Sequence, residues 1–114
     1  MSIDVDVDEL ARLERWYESR CDGQWEHEKG VSIQSSDNPG WWVRIDIDKE
    51  PTRSGGDQVL EILGEPPSEK NGNIGSKRWM LCQVREGKFD AAGDAMQLRS
   101  IISCFREKVA GPVP

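Results

Sequence analysis

The sequence predicts an α+β domain in which an antiparallel sheet of three to four strands is packed by an N-terminal and a C-terminal helix. Three observations predict it. Near the start, Leu10, Leu13, Trp16, Tyr17 and Cys21 recur at helical spacing, and near the end Leu98, Ile101, Ile102, Phe105 and Val109 do the same. Between them, Val31 and Ile33, then Trp41, Val43, Ile45 and Ile47, alternate with polar or outward residues at a period of two. The strands do not alternate with helices, which argues against a doubly wound fold, and two amphipathic helices need an apolar sheet face to cover.

The totals suit one domain over residues 1–114. At 36% hydrophobic and 32% charged, the composition is globular but polar. A chain this long buries enough surface, somewhat over ~60%, to fold without staples. No run of about 18 apolar residues suggests a membrane span. The acidic start MSIDVDVDELARL lacks the basic and apolar regions of a secretory signal. Cys21, Cys82 and Cys104 are odd in number, widely spaced and without a CxxC pair, so reduced thiols and a cytoplasmic location are expected.

The first helix is expected over 8–21. Asp8 is its candidate N-cap, acidic residues suit its first turn, and Gly23 follows its end. A hairpin of 31–36 and 41–47 comes next. Asn38-Pro39-Gly40-Trp41 fits a type II turn, with proline at the second position and glycine at the third, and Asp37 can bond forward to its backbone. Upstream, Trp25, His27, Val31 and Ile33 share a phase and place Glu26 on the opposite face with Trp42, unless Gly30 hosts a bulge.

Residues 49–77 read as loops around one short apolar run, QVLEILG, taken as a strand at the sheet edge although a helical turn is open to it. KRWMLCQVREG is a strand with Met80, Cys82 and Val84 on one face. Both of its faces are apolar near the middle, which suits a central strand. After KFDAAGD comes the last helix, from about Asp94, its candidate N-cap, to Val109 before GPVP stops it.

Alternation separates the adjacent tryptophans. Trp41 is in phase with Val43 and Ile45 and points to the core. Trp42 is in phase with Arg44 and Asp46 and points away. An exposed Trp beside Arg suits a protein-binding hot spot; the alternatives are a loop that covers it or simple stacking by Arg44.

The chain's net charge of −6 is uneven. Residues 1–50 hold 13 acidic and 6 basic side chains, a net of −7, and the remainder is nearly balanced. That disfavours direct nucleic-acid binding and suits a basic protein partner, or else a solvated acidic surface.

Little catalytic chemistry is indicated. His27 is the single histidine, and carboxylates at Glu26, Glu28 and Asp37 are close to it in sequence. A structural histidine is the simpler reading of it than a general base. Neither zinc-ligand spacing, HExxH, GxGxxG nor a P-loop is present, so no metal and no cofactor are expected. CQVREGK faintly resembles a sulfurtransferase loop. Cys82, however, falls inside a strand, where an inert core thiol sits.

The run WYESRCDGQWEHEKGVSIQSSDNPGWWVRIDI, most specifically WEH and DNPGW, resembles the immunity protein 53 family of bacterial polymorphic-toxin immunity proteins. RWMLCQV and FDAAGDAMQLRSIISCF are similar to the family's later strand and final helix, so nearly the whole chain is covered. Two places depart from the pattern: the second tryptophan after NPG, Trp42, and the loop at 65–77. The resemblance implies a non-enzymatic binder of a cognate protein toxin in the cytosol, and the acidic half suits a basic toxin such as a nuclease. The candidate toxin-binding set is Glu26, His27, Asp37, Trp42, Arg44 and Asp46. The alternative is a small thiol- or histidine-dependent, sulfurtransferase-like enzyme that uses Cys82 or His27.

Overall fold

The computed structural model describes residues 4–36, 39–47, 57–67 and 77–110. In chain order these form helix α1 (Asp4–Arg20), a single turn α2 (Trp25–Glu28), strands β1 (Val31–Ser36), β2 (Gly40–Asp46), β3 (Gln58–Leu63), β4 (Met80–Arg85) and β5 (Lys88–Asp94), and helix α3 (Leu98–Phe105). A π-helical turn, Arg106–Ala110, continues α3. The strands make one antiparallel sheet in the order β1-β2-β5-β4-β3. The α+β class holds, with five strands in place of three to four.

The additional strand is β5, the KFDAAGD segment for which the sequence predicts no strand, and it is the middle of the sheet. Its two alanines, glycine and two aspartates have low strand propensity. Packing demands the glycine. A Cβ on Gly93 would lie 2.8 Å from Gln97 Cβ and 3.2 Å from the Trp79 carbonyl, so only glycine lets the start of α3 sit this close. β5 also doubles back on β4 through Glu86-Gly87, both at positive φ (52° and 77°), as a two-residue hairpin of twisted strands requires. Consequently α3 starts at Leu98, and Asp94 ends β5 instead of capping the helix.

The other local corrections have equally concrete causes. α1 begins at Asp4, which puts Asp8 inside the helix and not at its cap. Of its expected stripe, Leu13 and Trp16 are buried whereas Leu10, Tyr17 and Cys21 are exposed. α1 packs along α3 as a narrow line, and Glu9 takes a buried place there. Glu9 accepts two bonds from Arg106, at 2.6 and 2.9 Å. The arginine's hydrogen bond and charge outweigh burial and hold the Glu9 carboxyl below its usual range.

The β1–β2 hairpin pairs Val31 with Ile45 through to Ser36 with Gly40, and Val43 and Ile45 face the core as the alternation predicts. Gly40 and Trp41 are already strand residues, so the connection is residues 37–39 and not the tetrad 38–41. Asp37 and Asn38 lie outside the described residues. QVLEILG is an edge strand, as expected, and β4 lies inside the sheet between β3 and β5.

One sheet face is covered by the helices. Val43, Ile45, Cys82, Phe89 and Ala91 project from it against Ile101, Phe105 and Val109. An edge-to-face aromatic series crosses this layer: Trp25 on Trp16 at 5.9 Å, Trp16 on Phe105 at 4.8 Å, and Phe105 on Phe89 at 5.2 Å. It ties α1, α2 and α3 to the central strand.

Candidate functional site

The WEH segment is a helical turn, not a strand, and each of its three residues has a different task. Trp25 is buried against Trp16 and Tyr17. Asp22 accepts the amides of Gln24 and Trp25, both at 2.9 Å, while Glu26 reaches back to the amides of Asp22 and Gly23 at 3.0 and 2.8 Å. The two carboxylates thus bind the loop backbone reciprocally around the N-cap, Gln24. The bond from its own amide, with those from Asp22 and Gly23, outweighs burial and holds the Glu26 carboxyl below its ordinary range. His27 projects from the turn and is exposed. Glu26 is committed to backbone and does not share a strand face with Trp42, because the shared phase required β geometry that this turn lacks.

Cys82 is buried on the helix-facing side of β4. A hydrogen bond with Cys104, burial and the neighbouring thiol together push its thiol strongly upward, away from the thiolate that nucleophilic chemistry needs. Cys21 is exposed; Cys82 and Cys104 are buried, and all three are free. A thiol reagent is therefore expected to label one cysteine in the native protein and three after denaturation. A native count of three, or a denatured count of one, would contradict this arrangement. Among the described residues, no group of three or more His, Cys, Asp or Glu side chains is placed to hold a metal.

Among the described residues the opposite sheet face carries no helix, and the register arranges its side chains in rows. Gln34, Trp42, Ala92, Leu81 and Ile62 are successive cross-strand partners, one from each strand. They form an apolar row that begins at Gln34 and extends roughly 19 Å at normal strand spacing. Trp42 is 42% exposed and Ile62 59%. The adjacent row is polar: Ser32, Arg44, Asp90, Gln83, ending in Val59.

Two contacts couple the rows. The Trp42 indole N–H donates to Asp90 Oδ1 at 2.8 Å, and the Arg44 guanidinium lies 5.0 Å from the Trp42 ring centre. The ring is thus held upright between a carboxylate and a cation while much of it stays in water. Asp46, in the next row, accepts the Gly30 amide at 2.8 Å and lies 3.3 Å from the Lys88 ammonium, which fixes the start of β1. Trp41, on the helix side, is half-buried and donates to the Ala95 carbonyl at 2.9 Å.

Of the expected set, Trp42, Arg44 and Asp46 come together on the open sheet face, Glu26 and His27 lie on the α2 turn, and Asp37 is outside the described residues. Sequence reading missed Asp90, Ala92, Leu81 and Ile62 as partners of Trp42. The signal that could have found them is the Glu86-Gly87 turn, which pairs β5 with β4 and so aligns the rows.

A family model described as immunity protein 53 matches residues 10–110. The chain belongs to the immunity protein 53 family. The match takes in the WEH turn, the hairpin, every strand of the open face and α3. No curated protein and no solved structure matches the chain. An immunity protein acts by engaging a toxin. A row of exposed apolar side chains bordered by fixed charges is what such an engagement needs: desolvatable area at the centre and polar groups at the rim.

Proposed function

We propose that this immunity protein 53 member protects its cell by holding a cognate bacterial toxin in a tight, non-enzymatic complex in the cytosol. The toxin is a basic protein, a nuclease being one such class. The observation that supports this most is the row through Trp42, Ala92, Leu81 and Ile62 on the sheet face that no described helix covers, in a chain of the immunity protein 53 family. Trp42 supplies the rigid aromatic anchor and Arg44 a planar donor beside it, a pairing favoured at interface hot spots. The net charge of −6 steers a basic partner at encounter.

The reading as a thiol or histidine enzyme has less support. The Cys82 thiol is sealed in the core, and Glu26, one of the two carboxylates adjoining His27 in the chain, is bound to two backbone amides.

The test is titration of the toxin encoded beside this chain's gene against the purified protein. Inhibition complete at one equivalent, with co-elution of the pair, is the expected result. Full inhibition by a small fraction of an equivalent would show turnover and restore the enzyme reading.

A further inference from the structure

We propose that the free edge of β1 is a strand-addition site that accepts an extended, basic segment of the cognate toxin as a sixth strand of the sheet. This rests on the immunity reading above and adds the place and manner of pairing.

Among the described residues the sheet order leaves two edges, β1 and β3. Exposed edges invite pairing, and proteins usually guard them with charges, proline or bulges. β3 is guarded: its register shifts between Val59 and Glu61, and Glu61 adds a charge. β1 is not. Its sequence, Val-Ser-Ile-Gln-Ser-Ser, has neither charge nor proline, and all six residues pair with β2 without a shift.

The ladder's phase identifies which groups of β1 face outward. The Asp46 amide donates to the Gly30 carbonyl at 3.1 Å, which makes Gly30–Asp46 a hydrogen-bonded pair. Alternation then assigns Ser32, Gln34 and Ser36 to bonding with β2. The amides and carbonyls of Val31, Ile33 and Ser35 point away from β2, to the edge. They make a template six residues long.

Below that edge, on the helix side, lies a groove of about 430 Å³ lined by Leu13, Glu14, Tyr17, Lys29, Gly30 and Val31. Ile33, whose side chain projects to the same side as Val31, is 39% exposed, and Tyr17 is 41% exposed. A strand added to β1 would place alternate side chains over this groove and cover both. Its other side chains would lie beside Gln34 and extend the row that contains Trp42.

Charge identifies the occupant. The half of the chain bearing β1 and α1 has a net of −7, so a second copy is repelled and a basic strand attracted. Glu14, in the groove wall, gives a basic side chain a local partner.

Proline replacement separates this site from every other surface. Ser35→Pro and Ile33→Pro remove outward amides that take no part in the β1–β2 ladder, whereas Gln34→Pro removes one that does. Binding of the purified neighbour-encoded toxin is measured for wild type and each variant. Wild type should bind, and Ser35→Pro and Ile33→Pro should stay folded by circular dichroism and lose at least about tenfold in affinity. Gln34→Pro should lose stability instead.

Hydrogen exchange on the unaltered complex gives a second measurement should a variant fail to fold. The amides of Val31, Ile33 and Ser35 should exchange fast in the free protein and become protected on toxin binding. Wild-type affinity in both folded variants, or no added protection, would overturn the edge site and leave the immunity reading intact. No toxin binding by wild type would overturn both. A wild-type dimer that Ser35→Pro dissociates would assign the edge to a second copy and overturn the toxin segment as its occupant.

Discussion

Replacing Trp42 by alanine is expected to weaken toxin binding by about 2 kcal/mol or more, roughly thirty-fold, with the domain still folded. Trp42 is exposed enough to contribute area and fixed enough to lose little entropy when it binds, since Asp90 holds its N–H and Arg44 covers one side. Most of the loss should appear as faster dissociation, because short-range packing is made after encounter. The domain itself should lose little, as the hydrogen bond to Asp90 is at the surface and the core lies on the other side of β2. Neutralising exposed acids of α1, as in Glu14→Gln with Glu18→Gln, should act oppositely, slowing association and flattening its salt dependence. Surface plasmon resonance at two ionic strengths separates the two effects. A Trp42→Ala protein that binds with unchanged affinity would remove the open sheet face from the interface.

The largest effect on stability is expected at Asp94. Its carboxylate, 6% exposed, accepts the amides of Trp79 at 2.7 Å and Met96 at 2.8 Å, the Gln97 side-chain amide at 3.1 Å, and Arg78 at 3.1 Å. One side chain thereby fastens the start of β4 and the turn into α3 to the end of β5. Asp94→Ala leaves these donors without their acceptor, at a cost of about 3 kcal/mol. In a domain of this size that lowers Tm by roughly 10–20 °C.

The same carboxylate gives a pH signature. Burial opposes its charge, but the Met96 and Trp79 amides, Gln97 and Arg78 outweigh burial and hold its pKa below the ordinary value. A depressed folded pKa adds stability in full above the unfolded value, about 3.9, and that stability is lost as pH falls through the folded value. Asp94→Ala should therefore narrow its gap to wild type in acid below about pH 4 while keeping the gap at neutrality. A gap independent of pH would show that Asp94 acts through packing alone.

The parts of this fold that sequence made legible are those where one local period dominates. β2 could be read residue by residue because Val43 and Ile45 face a core and Trp42 and Arg44 do not. α3 could be read because its apolar stripe is continuous, although its start could not, since Asp94 serves a turn and two neighbouring segments instead of a helix end. β5 was hidden because a close helix approach, a tertiary demand, selects residues that resemble a loop. The WEH turn was hidden for a related reason: its helix is one turn long, too short for a period, and rests on the bonds that Asp22 and Glu26 accept from the backbone around its start. For the candidate site, Trp42 and Arg44 were visible as a break in alternation. Their neighbours in the row depend on cross-strand register, which no single segment encodes.

The place of β5 also dictates when this surface comes into being. Trp42 and Ala92 are direct partners, yet 50 positions separate them along the chain, and the row between Gln34 and Ile62 closes only through that pair. Contacts so distant in sequence form late, after the entropy of a long loop has been lost. During synthesis the first hairpin leaves the ribosome with no central strand to dock on, and its two tryptophans wait for more than forty further residues. A chain halted before β5 holds at most two separate pairs, Gln34 with Trp42 and Leu81 with Ile62, and neither a finished sheet nor the continuous row. The continuous row is consequently all-or-none in the life of each molecule, complete only when β5 inserts into the middle of the sheet.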